Sequence, residues 1–375
     1  MAAVQKVLII GGGFAGMSAA ILLRRAAIDV DLVEIDAGWR SYGAGITING
    51  ASLRALGVVG VLRDVVVQGY CADSVALCAA DGRQLALLPT PRLAGSDVPG
   101  GGGIMRPILA RILAEATRAA GARVRLGCSF TQIVVRDDEV EVRFTDHTTA
   151  RYDLVIGADG LSSAVRKQLF PASPAPRYTG QGVWRAVLPR PASLTHPIMF
   201  LGAHLKVGFN PVSQSEMYSF LTEDRVSKTY IEEEQLLPQF SELLGEFPAP
   251  LVVEARRQLG PQSRIVYRPL ESLLVPAPWH RGRVLLIGDA AHATTPHLAA
   301  GAGMGIEDAI VIAEELQSHG SIARSLEQFQ KRRFERCRLV VENSVRLGEI
   351  ERTGGSQEEH ARLMRESMMA LAGPI

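Results

Sequence analysis

The chain lacks an excess of charge of either sign: 40 Lys and Arg stand against 39 Asp and Glu, a formal net charge of +1. A nucleic-acid groove or a strongly acidic partner surface is therefore not expected. Its four cysteines, Cys71, Cys78, Cys128 and Cys337, are scattered, with no CxxC pair and no Cys/His cluster. That argues against a metal site or a disulfide framework and suits the cytoplasm. No apolar run reaches the roughly 18 residues that would suggest a membrane span, because Gly, Arg or Asp interrupts each one. Met1-Ala2-Ala3-Val4-Gln5-Lys6 leads into a strand-like run rather than a secretory apolar segment. Repeats and low-complexity stretches are absent too. The expectation is a cytoplasmic monomer or homodimer, with no membrane and no nucleic acid, whose 375 residues suffice for two compact units.

What is present begins with Val7-Leu8-Ile9-Ile10, a short apolar run ending in glycine, as a buried parallel strand does. Gly16 to Ala26 reads as a helix with small residues on one side, and Val30 to Ile35 as a second strand. This order predicts a doubly wound sheet. Residues 70–100 read as short strands followed by a Pro/Gly-rich loop that takes in Gly100 to Gly103. A long amphipathic helix is expected over about Arg106 to Ala120, then strands at Val124 to Leu126 and Glu139 to Phe144. Short strands punctuated by turn residues follow at 183–188, 198–201, 206–209 and 217–221, the pattern of an antiparallel sheet. From Arg283 the earlier style returns, and helical sequence runs to the end. The fold class expected is α/β, with one nucleotide domain split over 1–70, 101–178 and 269–320. Its mixed or antiparallel insert comprises 71–100 and 179–268, and 321–375 is a helical C-terminal region.

Gly11-x-Gly13-x-x-Gly16 follows a strand and opens a helix, with Phe14 and Ala15 inside it and Glu34 ending the next strand. Gly11 permits the tight turn, Gly13 lets backbone approach a pyrophosphate, and Gly16 allows close helix–strand packing. The helix N-terminus offers unpaired N–H groups to the phosphates, and Glu34 can accept from ribose hydroxyls. These features predict a dinucleotide and leave FAD and NAD both open. Two more corners bear on that choice. Gly157-Ala158-Asp159-Gly160 ends one strand, with Arg166 downstream. Gly288-Asp289-Ala290-Ala291-His292 ends another, followed by Pro296 and Gly301-x-Gly303 at the mouth of a helix. A strand-end aspartate can accept from a ribityl hydroxyl, and a helix N-terminus can stabilise charge on a reduced flavin.

The set GxGxxG, GADG with its arginine, and GDAAHxxxP resembles the single-component FAD-dependent aromatic hydroxylases, the group typified by p-hydroxybenzoate hydroxylase. The stretches Pro296–Ala309 and Gly43–Ile46 are similar to its salicylate and 6-hydroxynicotinate hydroxylase branch. The resemblance implies a Rossmann-type FAD-binding domain with an inserted substrate domain. FAD would be reduced by NADH or NADPH, and a flavin hydroperoxide formed with O2 would hydroxylate a small aromatic or heteroaromatic, phenol-like molecule. It further implies that Gly13 and Glu34 hold the ADP half of FAD and that Arg106 reaches its ribityl or pyrophosphate part. Asp159 would serve FAD and nicotinamide, and Asp289 the ribityl chain. Pro296 would lie at the reacting side of the ring, with Arg40 and Gly43–Ile46 flanking it.

Substrate candidates are Trp184, Arg185, His204, Phe209 and Met217 from the insert, with Thr47 and His297 from the flavin side; His204 and Arg185 are also catalytic candidates beside Pro296. Strand alternation lets only one of Trp184 and Arg185 face the cavity. Against these stand plainer readings: Trp184 as core, Arg185 as a surface or FAD contact, His204 as an exposed turn residue, His292 as structural and His297 as helix-mouth packing. Where the 6-hydroxynicotinate branch has a histidine and a tyrosine near substrate, this chain has Thr47, Gly208 and Phe209, so a different substrate is expected, a planar bicyclic or substituted heteroaromatic phenol. Alternatives of another class are an FAD-dependent epoxidase or reductase of an isoprenoid or lipid, which would need a long apolar tunnel, and a non-catalytic flavin-binding protein. A halogenase is disfavoured by the lack of a GWxWxIP-like segment. The Ser325–Leu347 stretch reads as a solvated helical cap, as a wrap around the flavin domain, or as a dimer seam.

Overall fold

The computed structural model describes residues 4–41 and 43–375; Met1–Ala3, the start of the N-terminal stretch considered above, and Tyr42 lie outside the described residues. Lys6–Ile10 sits inside a six-stranded sheet ordered His280–Arg281, Val284–Leu286, Leu154–Gly157, Lys6–Ile10, Asp29–Glu34, Arg123–Leu126. All neighbours pair in parallel except the short His280–Arg281 edge. Val7, Leu8, Ile9, Val155 and Leu285 are fully buried, which is why these strands read as unbroken apolar runs rather than alternating ones. The Phe14–Arg25 helix packs against the helix Gly301–Ser318, and both lie in the same core as the sheet.

The second layer is a seven-stranded sheet ordered Ile265–Ser272, Arg177–Pro189, Glu216–Asp224, Lys206–Pro211, Ile198–Leu201, Ser74–Ala79, Gln84–Pro89. It is antiparallel apart from Ile198–Leu201 against Ser74–Ala79. The helices Glu233–Leu244 and Pro250–Gln258 cover one face, where Trp184, Phe200, Phe209 and Leu221 pack with Phe240, Leu244 and Val252. The opposite face turns toward the dinucleotide corners: Arg185 and Tyr218 on it lie within electrostatic reach of Arg106, which also reaches Asp289 of the third corner, while Tyr218 bonds Thr47 and Lys206 bonds Glu351. This is the Rossmann-type fold with an inserted sheet and C-terminal helices.

Two expectations are corrected. Gly100 to Gly103 is not a free loop: Gly101–Met105 is a buried strand between Gly45–Asn49 and Tyr70–Ala72. Its glycines serve close approach, since a Cβ at Gly102 would stand 2.4 Å from the Tyr70 carbonyl oxygen and one at Gly103 2.6 Å from that of Pro211. Nor is the C-terminal region a solvated cap. The helix Ile322–Thr353 buries Leu326, Phe329, Arg333, Cys337, Val340 and Leu347 along one side, the three-and-four spacing of a core-facing stripe. Three arginines then hold the following helix, Gln357–Ala372, by its C-terminal end: Arg336 donates to Ala370 and Leu371, Arg54 to Ala372, and Arg332 to Ile375.

Candidate active site

The three glycine-and-acid corners meet. Gly11 holds φ at +108°, and a Cβ there would stand 2.4 Å from the Ala158 carbonyl oxygen, so the first and second corners touch backbone to backbone. At Gly16 a Cβ would lie 2.0 Å from the Gly11 oxygen, which only glycine allows. Ala15 is pressed between Gly288 and Gly305, whose added Cβ atoms would approach it to 3.1 and 3.0 Å. Arg166 ties the second corner to the third by donating to the Ala290 and Leu161 carbonyls at 2.8 and 2.5 Å. Gly303, at the mouth of the Gly301–Ser318 helix, also makes room for the Gly50–Val59 helix: a Cβ there would stand 2.1 Å from Ser52 Oγ.

A cleft opens beside the first corner, lined by Gly13, Phe14, Glu34, Trp39, Arg40 and Arg106. Glu34 accepts from the Gly12 and Asp36 amides at 2.7 and 2.8 Å, holding its own loop in shape. Trp39, which the sequence reading missed, donates its indole N–H to the Gly12 carbonyl at 2.8 Å. Arg40 pairs with Asp36 at 3.0 Å on the rim. Arg106 lies over the Phe14 ring at 5.0 Å, and burial lowers its pKa while Asp289 raises it.

The cleft fits a flavin dinucleotide on the chain's own features. Among the described residues a Cβ built on Gly13 or Gly160 meets nothing within 4 Å, so bare backbone at two corners faces open space. Gly13 caps the Phe14–Arg25 helix with no side-chain hydrogen bond, and no acidic residue stands in the first turn, leaving that positive end for a ligand's phosphates. Asp159 uses one oxygen on the Ala164 and Val165 amides; its other oxygen is buried and has no partner among the described residues. Asp289 stands at the start of the third corner's helix, open to the space between the corners yet close to Arg106 and His292. Desolvation lifts its carboxyl above the ordinary range, with His292 and Arg106 pulling it back. Pro296 opens the turn Pro296–Leu298, after which Ala299 takes a left-handed φ of 48° ahead of the Gly301–Ser318 helix.

On the insert side, pairing register decides which residues can reach this hollow. Arg185 pairs with Phe220, Phe220 with Gly208, and Val187 with Tyr218, which in turn pairs with Asn210. All of these share the flavin-facing side. Trp184 pairs with Leu221, Phe209 with Ser219 and Leu188 with Met217 on the helix-covered side. Trp184, Phe209 and Met217, expected at the substrate, are therefore core residues; Trp184 stacks on Phe240 at 5.7 Å and donates to Glu223 at 2.8 Å. His204 is an exposed bend residue outside the hollow. His297 is buried beneath the long C-terminal helix, bonded to Thr295 and 3.4 Å from Glu351; burial lowers its pKa against the pull of Glu351.

Arg185 and Thr47 do come together, through two residues the sequence reading did not name. Tyr218 Oη lies 2.5 Å from Thr47 Oγ1, and the Asn210 amide donates to the same oxygen. Burial pushes the Tyr218 phenol up, so it stays protonated, although Thr47 and Arg185 oppose the shift. Burial likewise lowers the Arg185 pKa, and among its charged neighbours Arg106 and Arg268 add to that effect. No signal within the sequence singled out Tyr218 and Asn210, because their shared side with Arg185 follows from the cross-strand register. His292 proves structural: its Nε2 lies 2.6 Å from Asp308, which also binds the Gly288 amide and Arg333. Cys337 stands close to that pair, but the Arg333 guanidinium already supplies the cation there.

The FAD binding domain family matches residues 5–344. The 2-heptyl-3-hydroxy-4(1H)-quinolone synthase of Pseudomonas aeruginosa strain UCBPP-PA14 is 33% identical over 355 residues, 92% of this chain and 89% of that protein. The aurachin C monooxygenase/isomerase of Stigmatella aurantiaca is 30% identical over 378 residues, 97% and 94% of the two chains. Among solved structures, Klebsiella pneumoniae HpxO complexed with FAD and uric acid superposes with a TM-score of 0.85 at 25% identity, covering 99% of this chain and 97% of that one.

Proposed function

The chain belongs to the FAD binding domain family, and from that premise we propose that it is an FAD-dependent monooxygenase that uses NADH or NADPH and O2 to hydroxylate a planar heteroaromatic ring bearing an acidic oxygen. The observation that carries the reading is Arg185, a guanidinium on the face toward the flavin corners that has no carboxylate partner among the described residues. With Arg106 and Arg268 nearby it makes this side of the hollow cationic. An oxygen of the substrate ring that ionises would be held there as its anion, and an ionised oxygen enriches the ring for attack. The protein then needs no base of its own at this point, in keeping with a Tyr218 that stays protonated. Quinolone and urate chemistry, named for two relatives of this chain, involves planar bicyclic heteroaromatics of this kind.

A bound flavin would supply the redox chemistry, passing two electrons from the nicotinamide to O2 so that one oxygen atom enters the ring and the other leaves as water. The residues of the chain orient and enclose. Asp159 and Asp289 would hold ribityl hydroxyls, and Glu34 the ribose. Tyr218, Thr47 and Asn210 fasten the substrate sheet to the Gly45–Asn49 strand, closing that edge of the hollow to water. The test is turnover with purified yellow protein: NADH or NADPH oxidation accelerated by a quinolone, urate or hydroxypyridine, with one oxygen from labelled O2 in the product. Oxidation that no ring compound accelerates, ending only in peroxide, would sink the reading.

A further inference from the structure

Outward from Phe220, the substrate sheet carries an apolar strip that no hydrophobic cluster among the described residues takes up. On the flavin-facing side the cross-strand partners run Arg185, Phe220, Gly208, Met199, Leu77, Ala86. Strand alternation puts Val75, Leu88 and Leu201 on the same side. Leu88 and Leu201 are 46% and 39% exposed, and none of Val75, Leu77, Leu88, Met199 and Leu201 packs into a hydrophobic cluster. One exposed leucine needs no explanation, whereas a contiguous row does.

The strip is continuous with the site and is walled on both sides where it crosses the Lys206–Pro211 strand. At one end of the Lys206–Pro211 strand, Gly103 lies against the Pro211 carbonyl; at the other, Lys206 binds Glu351 of the long C-terminal helix at 2.7 Å. Between those walls the row leads from Arg185 toward the edge strand Gln84–Pro89, and Leu77 lies four strand spacings away, about 19 Å. Gly208 keeps the way level: a Cβ there would stand 2.2 Å from Phe220 Cζ, so the Phe220 ring lies across it.

We propose that this strip seats an alkyl or other extended apolar chain carried by the substrate ring, whose oxygen lies at Arg185. The proposal rests on the reading of Arg185 given above. A row that is cationic at its inner end and apolar from Phe220 outward matches an amphiphile with an acidic ring and a hydrocarbon chain. A second copy of the protein covering the strip would leave Arg185 without a counter-charge.

The test is a homologous series of one ring, unsubstituted and with progressively longer n-alkyl chains, assayed on the holoenzyme by product formation. KM is expected to fall by up to about fourfold per added methylene that is fully buried, levelling off once the chain outgrows the strip. Met199→Glu and, farther out, Leu77→Gln should flatten that slope. If rings are hydroxylated with KM independent of chain length, the strip proposal is overturned while the hydroxylase reading stands; if no member is hydroxylated, both fall. A slope unchanged in both folded variants, with a shift in mass by sedimentation instead, would assign the strip to a second copy and also overturn the proposal. Should both variants fail to fold, the wild-type series decides alone.

Discussion

Trp184 and Arg185 are neighbours in the chain and project from opposite faces of the substrate sheet: the indole donates to Glu223 inside the helix-covered core, and the guanidinium faces the hollow beside Tyr218. Substitutions at the two should therefore fail in different ways. Arg185→Gln is expected to lower kcat/KM for ring hydroxylation about 10- to 100-fold, the value of a charged hydrogen bond, with an unchanged melting temperature. Trp184→Ala should cost about 3–5 kcal/mol of stability through the cavity it leaves. Thermal melts and steady-state kinetics on both variants check the split; a stable, inactive Trp184→Ala enzyme would reverse the assignment.

Gly13 and Gly16 separate cofactor binding from folding. A Cβ at Gly16 collides with the Gly11 carbonyl, whereas one at Gly13 meets only open space, at an ordinary φ of −75°. Gly16→Ala is expected to abolish soluble protein. Gly13→Ala should leave the apoprotein melt within about 0.5 kcal/mol of wild type and yet lose the yellow colour, because the pyrophosphate is what approaches there. Fluorescence titration with FAD measures the loss; a Gly13→Ala protein that binds FAD as tightly as wild type would place the pyrophosphate elsewhere.

Tyr218→Phe removes one of the two insert groups bonded to Thr47, leaving the Asn210 amide as the other, and takes from both residues their shared phenol partner. The cost is about 1–3 kcal/mol at that seam. Its functional mark should be leakage: NAD(P)H consumption continues while the peroxide share of the turnover rises and the hydroxylated share falls. A peroxidase-coupled assay run beside product quantification reads the ratio directly.

The nucleotide half of the fold was legible because its signals are local. A parallel strand such as Val7–Ile10 must be apolar throughout, and the glycine and acid that follow it stand where its turn and its ligand require them. The substrate face was less legible because it is set by register, which depends on partners far along the chain. Trp184, Phe209 and Met217 are bulky and close to Arg185 in sequence or space, yet their parity sends them to the other side. Tyr218 sits one residue from Met217 and was passed over for that neighbour. Gly101–Met105 looked like a loop because glycine usually weakens a strand; here the surrounding carbonyls leave no room for anything larger.

The His292–Asp308 pair links the third corner to the C-terminal helices, and its protonation has a definite sign. Burial alone would depress the imidazolium, but Asp308 holds the His292 pKa well above the ordinary 6.5. Burial would likewise raise the Asp308 carboxyl, and His292 and Arg333 bring it below its usual range instead. The raised histidine contributes stability that is fully present below about pH 6.5 and is lost as pH climbs through its folded value; the depressed carboxylate contributes above its unfolded range and loses that only in strong acid. Comparing wild type with His292→Gln by urea melts, the stability gap should be widest below about pH 6.5 and close as pH climbs through the raised folded value of the imidazole. Arg333→Met, which leaves Asp308 and Glu307 buried with fewer cations, should cost about 3–5 kcal/mol and loosen FAD, since Asp308 also holds the Gly288 amide. A His292→Gln gap that stays constant over that whole pH interval would mean that the imidazole is neutral in the folded protein and that Arg333 alone balances the buried carboxylates.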